Sequence, residues 1–283
     1  MPELAFLKIG GSLITDKSSE RAFRADRARN VAKEVREALA AEPQMRLLLG
    51  HGAGCFGHVP AKRWRVKEGL PASSWEGFAR TRRSVMELNG LVLDAFAEEG
   101  LFPVFVQPSA IAMAHGGKLL RMDLCPVETL LADGLMPMLC GDAVLDEAQG
   151  FAIVGTEGFF GYMAERLRPS RIVLACDVDG VRDADPRTNP RTNRIERLEG
   201  AAVEEAVARM GGARGLRNLD GCATVLGGAR GTDVTGGMAS KVKALAAMAR
   251  RLPEAEARIV SGAIAGQVRD ALLGRGGGTL VAG

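Results

Sequence analysis

Aromatic residues make up only 5% of this 283-residue chain, with a single tyrosine and two tryptophans, and histidine occurs three times. Cys55, Cys125, Cys140, Cys176 and Cys222 are odd in number, widely spaced and never paired as C-x-x-C, which excludes a disulfide framework and a thiolate zinc site. With so few histidines and no acidic partner at ligand spacing, a histidine zinc site is disfavoured as well. No window approaches 18 uninterrupted apolar residues, and no basic leader precedes the apolar stretch Leu4 to Ile9, so a cytoplasmic protein with no membrane partner is expected. Charge of one sign is also scarce. The formal net charge is +3, with basic residues spread along the chain instead of gathered in runs, and nucleic acid is therefore not an expected partner.

Lysine is the cation in short supply: 8 against 29 arginines. Lys8, Lys17 and Lys241 stand beside glycine-rich or turn-like sequence, where a compact, flexible ammonium does what a planar guanidinium cannot. Apolar runs of strand length alternate with longer amphipathic segments, the pattern of an α/β fold with a parallel sheet covered by helices. Strands are expected at Leu4 to Ile9, Arg46 to Leu49, Pro103 to Val106, Met136 to Cys140, Arg171 to Ala175, Ala257 to Val260 and Gly278 to Val281. Helical patterns cover Asp26 to Ala41, Ser74 to Glu99, Val127 to Asp133, Gly158 to Leu167, Ala202 to Met210, Ala239 to Arg251 and Gln267 to Leu273. Ala143 to Glu147 and Gly150 to Val154 read as a β-hairpin on this otherwise parallel sheet. Gly211 to Thr235, rich in Gly and Arg, is long for a connection and reads as a lid or mobile substrate loop, with plain disorder the alternative. One unit with two lobes is expected, with a soft boundary near residues 165–170.

Four segments carry candidate chemistry. Lys8-Ile9-Gly10-Gly11-Ser12 closes the first strand, where paired glycines let main-chain N–H groups approach an anion; an ordinary tight turn suits Gly10-Gly11 equally well. It is neither a P-loop nor G-x-G-x-x-G. His51-Gly52-Ala53-Gly54-Cys55-Phe56-Gly57-His58 follows the second strand and runs into a helix, whose N-terminus favours anions. There His58 suits a substrate phosphate and His51 a buried structural hydrogen bond. The acidic turn from Asp177 to Asp185 lies beyond a strand end, where open sheets bind nucleotides, and it lacks the spacing of an EF-hand; a solvated turn is the plain alternative. Thr232 to Lys241 places Gly236 and Gly237 at a helix entrance with Lys241 one turn inside, which suits phosphate or a merely capped helix.

In this order the segments resemble the amino acid kinase superfamily, and within it the isopentenyl phosphate kinase family, over nearly the whole chain. The resemblance extends to Thr15-Asp16-Lys17, Gln107-Pro108-Ser109, Gly141-Asp142, Asp177-Val178-Asp179-Gly180-Val181 and Asp233-Val234-Thr235-Gly236-Gly237-Met238. It implies a three-layer αβα sandwich with a mainly parallel central sheet, an acceptor-binding lobe at about 1–168 and a nucleotide-binding lobe at about 169–283. It implies Mg-ATP as phosphoryl donor, a small phosphate-bearing acceptor such as isopentenyl phosphate, and a homodimer. Lys8, Lys17, Lys241 and His58 take catalytic roles. Ala53, Gly54, His58, Gly155 and Glu157 fall on the acceptor. Lys8, Gly10, Gly11, Ser12, Gly54, Asp177, Gly180, Asp183, Gly237 and Lys241 fall on the nucleotide. No protein-bound metal site is implied.

Three departures from the family pattern stand out. Ala53 replaces a glycine near the acceptor phosphate, Cys55 replaces a Ser or Ala, and Val154-Gly155-Thr156-Glu157 stands where the family has S-G-D, whose Asp orients the lysines. Two other readings stay open: a phosphonate kinase of the fosfomycin-resistance type, and a non-catalytic nucleotide or oxyanion binder on the same fold. A carboxylate kinase fits less well, because His58 suits a phosphate better than an amino acid. The helix carrying Phe78, Val85, Met86 and Leu88 suits either an apolar acceptor tail or plain core.

Overall fold

The computed structural model describes residues 3–16, 21–184, 191–211 and 237–283. The first half of the chain folds as β1 (Leu4–Ile9), α1 (Gly11–Ile14), α2 (Ala25–Ala41), β2 (Arg46–His51), α3 (Gly54–Arg63), α4 (Trp75–Glu98), β3 (Val104–Phe105) and α5 (Pro108–Ile111). Next come β4 (Ala112–His115), β5 (Lys118–Met122), α6 (Cys125–Ala132), β6 (Pro137–Cys140), β7 (Asp142–Asp146), β8 (Gly150–Val154) and α7 (Thr156–Leu167). The remainder is β9 (Arg171–Cys176), β10 (Arg197–Leu198), α8 (Ala201–Gly211), α9 (Gly237–Arg251), β11 (Glu256–Ser261), α10 (Gln267–Leu272) and β12 (Thr279–Val281). The expected lid at Gly211 to Thr235 lies, from residue 212 onward, outside the described residues.

An eight-stranded sheet runs β10-β12-β11-β9-β1-β2-β6-β3, parallel except where β12 meets β11. Successive side chains on a strand point to opposite faces, and each face builds its own core. Phe6, Leu48, Leu139, Ile172, Leu174 and Ile259 face α7 and α9, whose Phe160, Met163, Val242 and Leu245 complete that layer. Ala5, Leu7, Ile9, Leu47, Leu49, Val173 and Val260 face the other way, onto Val31 and Val35 of α2, Leu88 and Val92 of α4 and Val268 of α10. The same alternation puts Lys8 on the Phe6 face, two residues beyond the ring that packs on Phe160 at a centroid distance of 5.0 Å. The fold class is therefore the expected helix-sheet-helix sandwich.

The expected hairpin forms, Asp142 pairing with Val154 and Asp146 with Gly150. It does not join the main sheet. It belongs to a second, four-stranded sheet of order β5-β4-β7-β8. Pairing of β4 with β7 captures the hairpin, and the two-residue turn Gly116-Gly117, both with positive φ, folds β5 back on β4. Asp146 ties the two turns together, accepting hydrogen bonds from the N–H groups of Gly116, Gly117, Ala148 and Gln149 at 2.8–3.0 Å. Burial works to raise its pKa, but these donors outweigh it and hold the carboxyl below its usual value.

Candidate active site

The site assembles where β1, β2, β6 and β9 end together. Strand β1 delivers Lys8, only 6% exposed, and Gly10, whose N–H donates to the Ala175 carbonyl at 2.8 Å. The first turn of α7 delivers Glu157 toward the same face, and its carboxylate pairs with the Lys8 ammonium. Burial alone would raise the Glu157 pKa; Lys8, with Lys241 adding to it, outweighs that and keeps the carboxyl below its ordinary value. With an arm one methylene longer than the family's Asp, Glu157 reaches Lys8. Thr156 does something else: its hydroxyl donates to the His51 carbonyl at 2.7 Å, tying α7 to the end of β2.

Lys241 enters from α9, one turn after Gly237, where its ammonium donates to the Gly237 carbonyl at 3.3 Å. Gly237 has φ of +62°, as expected of a glycine at a tight helix entrance. Cys176, buried at the end of β9, lies within the field of both lysines; burial nevertheless raises its thiol pKa, so it remains an uncharged wall of the site.

Two glycine loops interlock beside this cluster. A Cβ placed on Gly11 would lie 2.4 Å from the Gly54 nitrogen, and one on Gly52 would lie 2.8 Å from the Gly11 nitrogen. The loops touch through bare backbone. Gly54, at φ of +50°, opens α3, and His58 stands half-buried on that helix. The Ala53 methyl, at a position where the family pattern has glycine, leans on Gly57: a Cβ at Gly57 would come within 2.4 Å of it. His51 is fully buried, its Nε2 3.1 Å from Asn89 Oδ1, and burial holds its pKa down.

The acidic turn is organised by contacts that sequence reasoning missed. Ser12 Oγ donates to Asp177 Oδ1 at 3.3 Å, which brings these two predicted nucleotide residues together. Gly180 instead packs against Thr279 of β12, whose hydroxyl accepts from the Val181 N–H at 2.8 Å and donates to the Ile195 carbonyl at 2.6 Å. The Asp183 carboxylate accepts from the Asn193 N–H at 3.0 Å, bracing its own loop. Arg82 on α4 was also missed, and with it its pairing to Asp142 of the Gly141-Asp142 motif. They pair at 3.3 Å, and Asp142 also accepts from the Ser109 and Ala143 N–H groups. Burial raises the Asp142 pKa, and Arg82 opposes it. The only sequence signal was Asp142 after Gly141 at a strand end. Lys17 and residues 232–236 lie outside the described residues.

The amino acid kinase family model matches residues 3–261. The chain belongs to the amino acid kinase family. Among curated members, the isopentenyl phosphate kinase of Methanothermobacter thermautotrophicus is 33% identical over 96% of both chains. That of Methanocaldococcus jannaschii is 28% identical, covering 98% of this chain and 97% of its own. A crystallographic isopentenyl phosphate kinase superposes with a TM-score of 0.77 at 29% identity, covering 99% of this chain and 100% of that one. Aspartate kinase from Synechocystis, at 14% identity and a TM-score of 0.61, shares the fold over 99% of this chain and 39% of its own. In this chain Lys8 and the two glycine loops lie at strand ends, and Glu157 places a carboxylate on Lys8.

Proposed function

We propose that this kinase transfers the γ-phosphoryl group of Mg-ATP to isopentenyl phosphate, giving isopentenyl diphosphate and ADP. The observation that carries the reading is the convergence of Lys8, Glu157 and Lys241 beside two interlocked glycine loops, one of which leads to His58. The extended similarity to isopentenyl phosphate kinases supports this acceptor over a phosphonate.

Backbone without Cβ atoms at Gly10 and Gly11, flanked by two ammonium groups, fits a triphosphate. In this reading Mg2+ would arrive with the nucleotide and would supply charge neutralisation at its phosphates. Lys8 and Lys241 bind the transferring phosphates. Glu157 holds the Lys8 ammonium in place and limits its motion. His58 donates to the acceptor phosphate, and Lys17 is assigned to the charge that develops during transfer. An acceptor phosphate oxygen, already ionised near neutrality, attacks the γ-phosphorus in line while the bond to the β,γ-bridging oxygen breaks; no protein base is needed. Asp177, Gly180 and Asp183 border the nucleotide. Residues 1–168 supply the acceptor lobe and 169–283 the nucleotide lobe, in a cytoplasmic homodimer.

Phosphorus NMR of purified protein with Mg-ATP and, separately, isopentenyl phosphate, fosfomycin, acetylglutamate or no acceptor tests the assignment. A new diphosphate signal only with isopentenyl phosphate is expected. Turnover of another acceptor alone, or of none, overturns it. Lys241→Ala should lower turnover by about two orders of magnitude or more while the protein stays folded.

A further inference from the structure

Thr15 follows α1 and is fully buried. Its hydroxyl donates to the Gly11 carbonyl at 2.7 Å and accepts from the Cys55 N–H at 3.2 Å. Gly11 belongs to the first glycine loop and Cys55 to the first turn of α3, so one side-chain oxygen spans both. Helix α3 has no side-chain cap of its own: Ala53 stands at its N-cap. The first N–H groups of a helix lack intrahelical partners, and here a residue from a different element supplies one. There is no slack around the contact. A Cβ on Gly54 would fall 2.2 Å from Thr15 Oγ1, 2.7 Å from its methyl and 2.9 Å from the Gly11 carbonyl oxygen. A shift of the Gly11 backbone is therefore passed to Cys55, and His58 lies three residues further along the same helix.

We propose that Thr15 is a positioning residue whose hydroxyl latches the first glycine loop to α3, so that nucleotide binding at Gly10 to Ser12 sets the orientation of the helix that carries His58. The ligands follow the function proposed above. The latch itself is a coupling between two loops, read through one buried hydroxyl.

Thr15→Val keeps the shape and removes the hydroxyl; Thr15→Ser keeps the hydroxyl. The first readout is amide hydrogen exchange of residues 52–58 with and without the non-hydrolysable Mg-AMP-PNP. The wild-type protein and Thr15→Ser should gain protection on nucleotide binding, and Thr15→Val should lose that gain. The second readout is steady-state kinetics with isopentenyl phosphate. Thr15→Val should lower kcat by about tenfold or more while KM for ATP stays within about threefold, and Thr15→Ser should restore kcat to near the wild-type value. Wild-type protection and kcat in Thr15→Val overturn the latch. Equal losses in Thr15→Val and Thr15→Ser with a lowered Tm also overturn it, since they mark a packing role only. No nucleotide-induced protection in the wild-type protein overturns it too. If the wild-type protein fails to turn over isopentenyl phosphate, the acceptor assignment falls, and the exchange arm still decides the latch because it needs only the nucleotide analogue.

Discussion

Gly11→Ala adds one methyl at the point where the two glycine loops meet. The new carbon would sit 2.4 Å from the Gly54 nitrogen, 2.8 Å from the Gly54 Cα and 3.1 Å from the Gly52 carbonyl carbon. Unstrained contacts of this kind lie at about 3.5 Å, so the loops must part by about 1 Å. The obstructing atoms are backbone, held by Gly52 N–H to the Ile9 carbonyl at 2.9 Å and by Cys55 N–H to Thr15 Oγ1 at 3.2 Å. No side chain can rotate out of the way. Displacement of about 1 Å between groups aligned for in-line transfer lowers a rate by about 100-fold. Overpacking at a rigid site also costs about 1–3 kcal/mol of stability.

The assay pairs steady-state phosphoryl transfer with urea unfolding of the same preparation. The expected result is kcat down by about two orders of magnitude, with a folded protein whose unfolding midpoint has moved to lower urea. Gly90→Ala is the matched control: it adds the same methyl in the middle of α4 with no atom within 4 Å. It should leave kcat unchanged and raise stability by about 0.5–1 kcal/mol, because glycine is a poor residue within a helix. Wild-type kcat and stability in Gly11→Ala would refute the interlock.

Glu34→Gln should lower unfolding free energy by about 1–3 kcal/mol in urea titrations, since the buried Glu34 carboxylate of α2 accepts from the N–H groups of Gly266, Val268 and Arg269 at the start of α10. The Asp146 carboxyl has a depressed folded pKa, so its contribution is fully present above the unfolded value of about 3.9 and is lost as pH falls through the folded value. Urea midpoints of the wild-type protein should therefore drop as pH falls below about 4, and Asp146→Asn should be less stable at neutral pH with a shallower fall. Thr279→Val should weaken nucleotide binding by about threefold to tenfold in calorimetry and leave isopentenyl phosphate binding unchanged, because Thr279 braces Val181 and Ile195 beneath the acidic turn.

Seven of the eight main-sheet strands were legible because they are apolar runs ended by turn signals, whereas β10, only Arg197–Leu198, carries no such run. The hairpin of β7 and β8 was legible from its alternation, but not its sheet: joining β4 depends on Met113 meeting Leu145, a pairing no local pattern encodes. Strand β5 was not legible. Lys118, Leu120 and Arg121 are all exposed and leave no alternating burial signal. The braces of the site share one reason for escaping notice. Thr279 on Val181, Asn89 on His51, Arg82 on Asp142 and Thr15 on Cys55 are polar side chains that meet partners far along the chain, and each looks locally like an ordinary surface residue.

The glycines show what the structure adds to a motif that the sequence already displayed. Gly10-Gly11, Gly52 and Gly54 read as bare backbone that an anion can approach, with an ordinary tight turn the alternative for Gly10-Gly11. Clearances give a second reason. A Cβ on Gly10 would meet the Ala175 carbonyl oxygen at 2.9 Å, and those on Gly11, Gly52 and Gly54 would strike the opposing loop or Thr15. Glycine is required at these positions even with no ligand present, because a side chain there would collide with neighbouring backbone or with Thr15. On the proposed function, a phosphate cradle and a loop-to-loop contact thus fall on the same residues. Substitution at any of them should lower stability and turnover together, whereas the hydroxyl of Thr15 can be removed to separate the two.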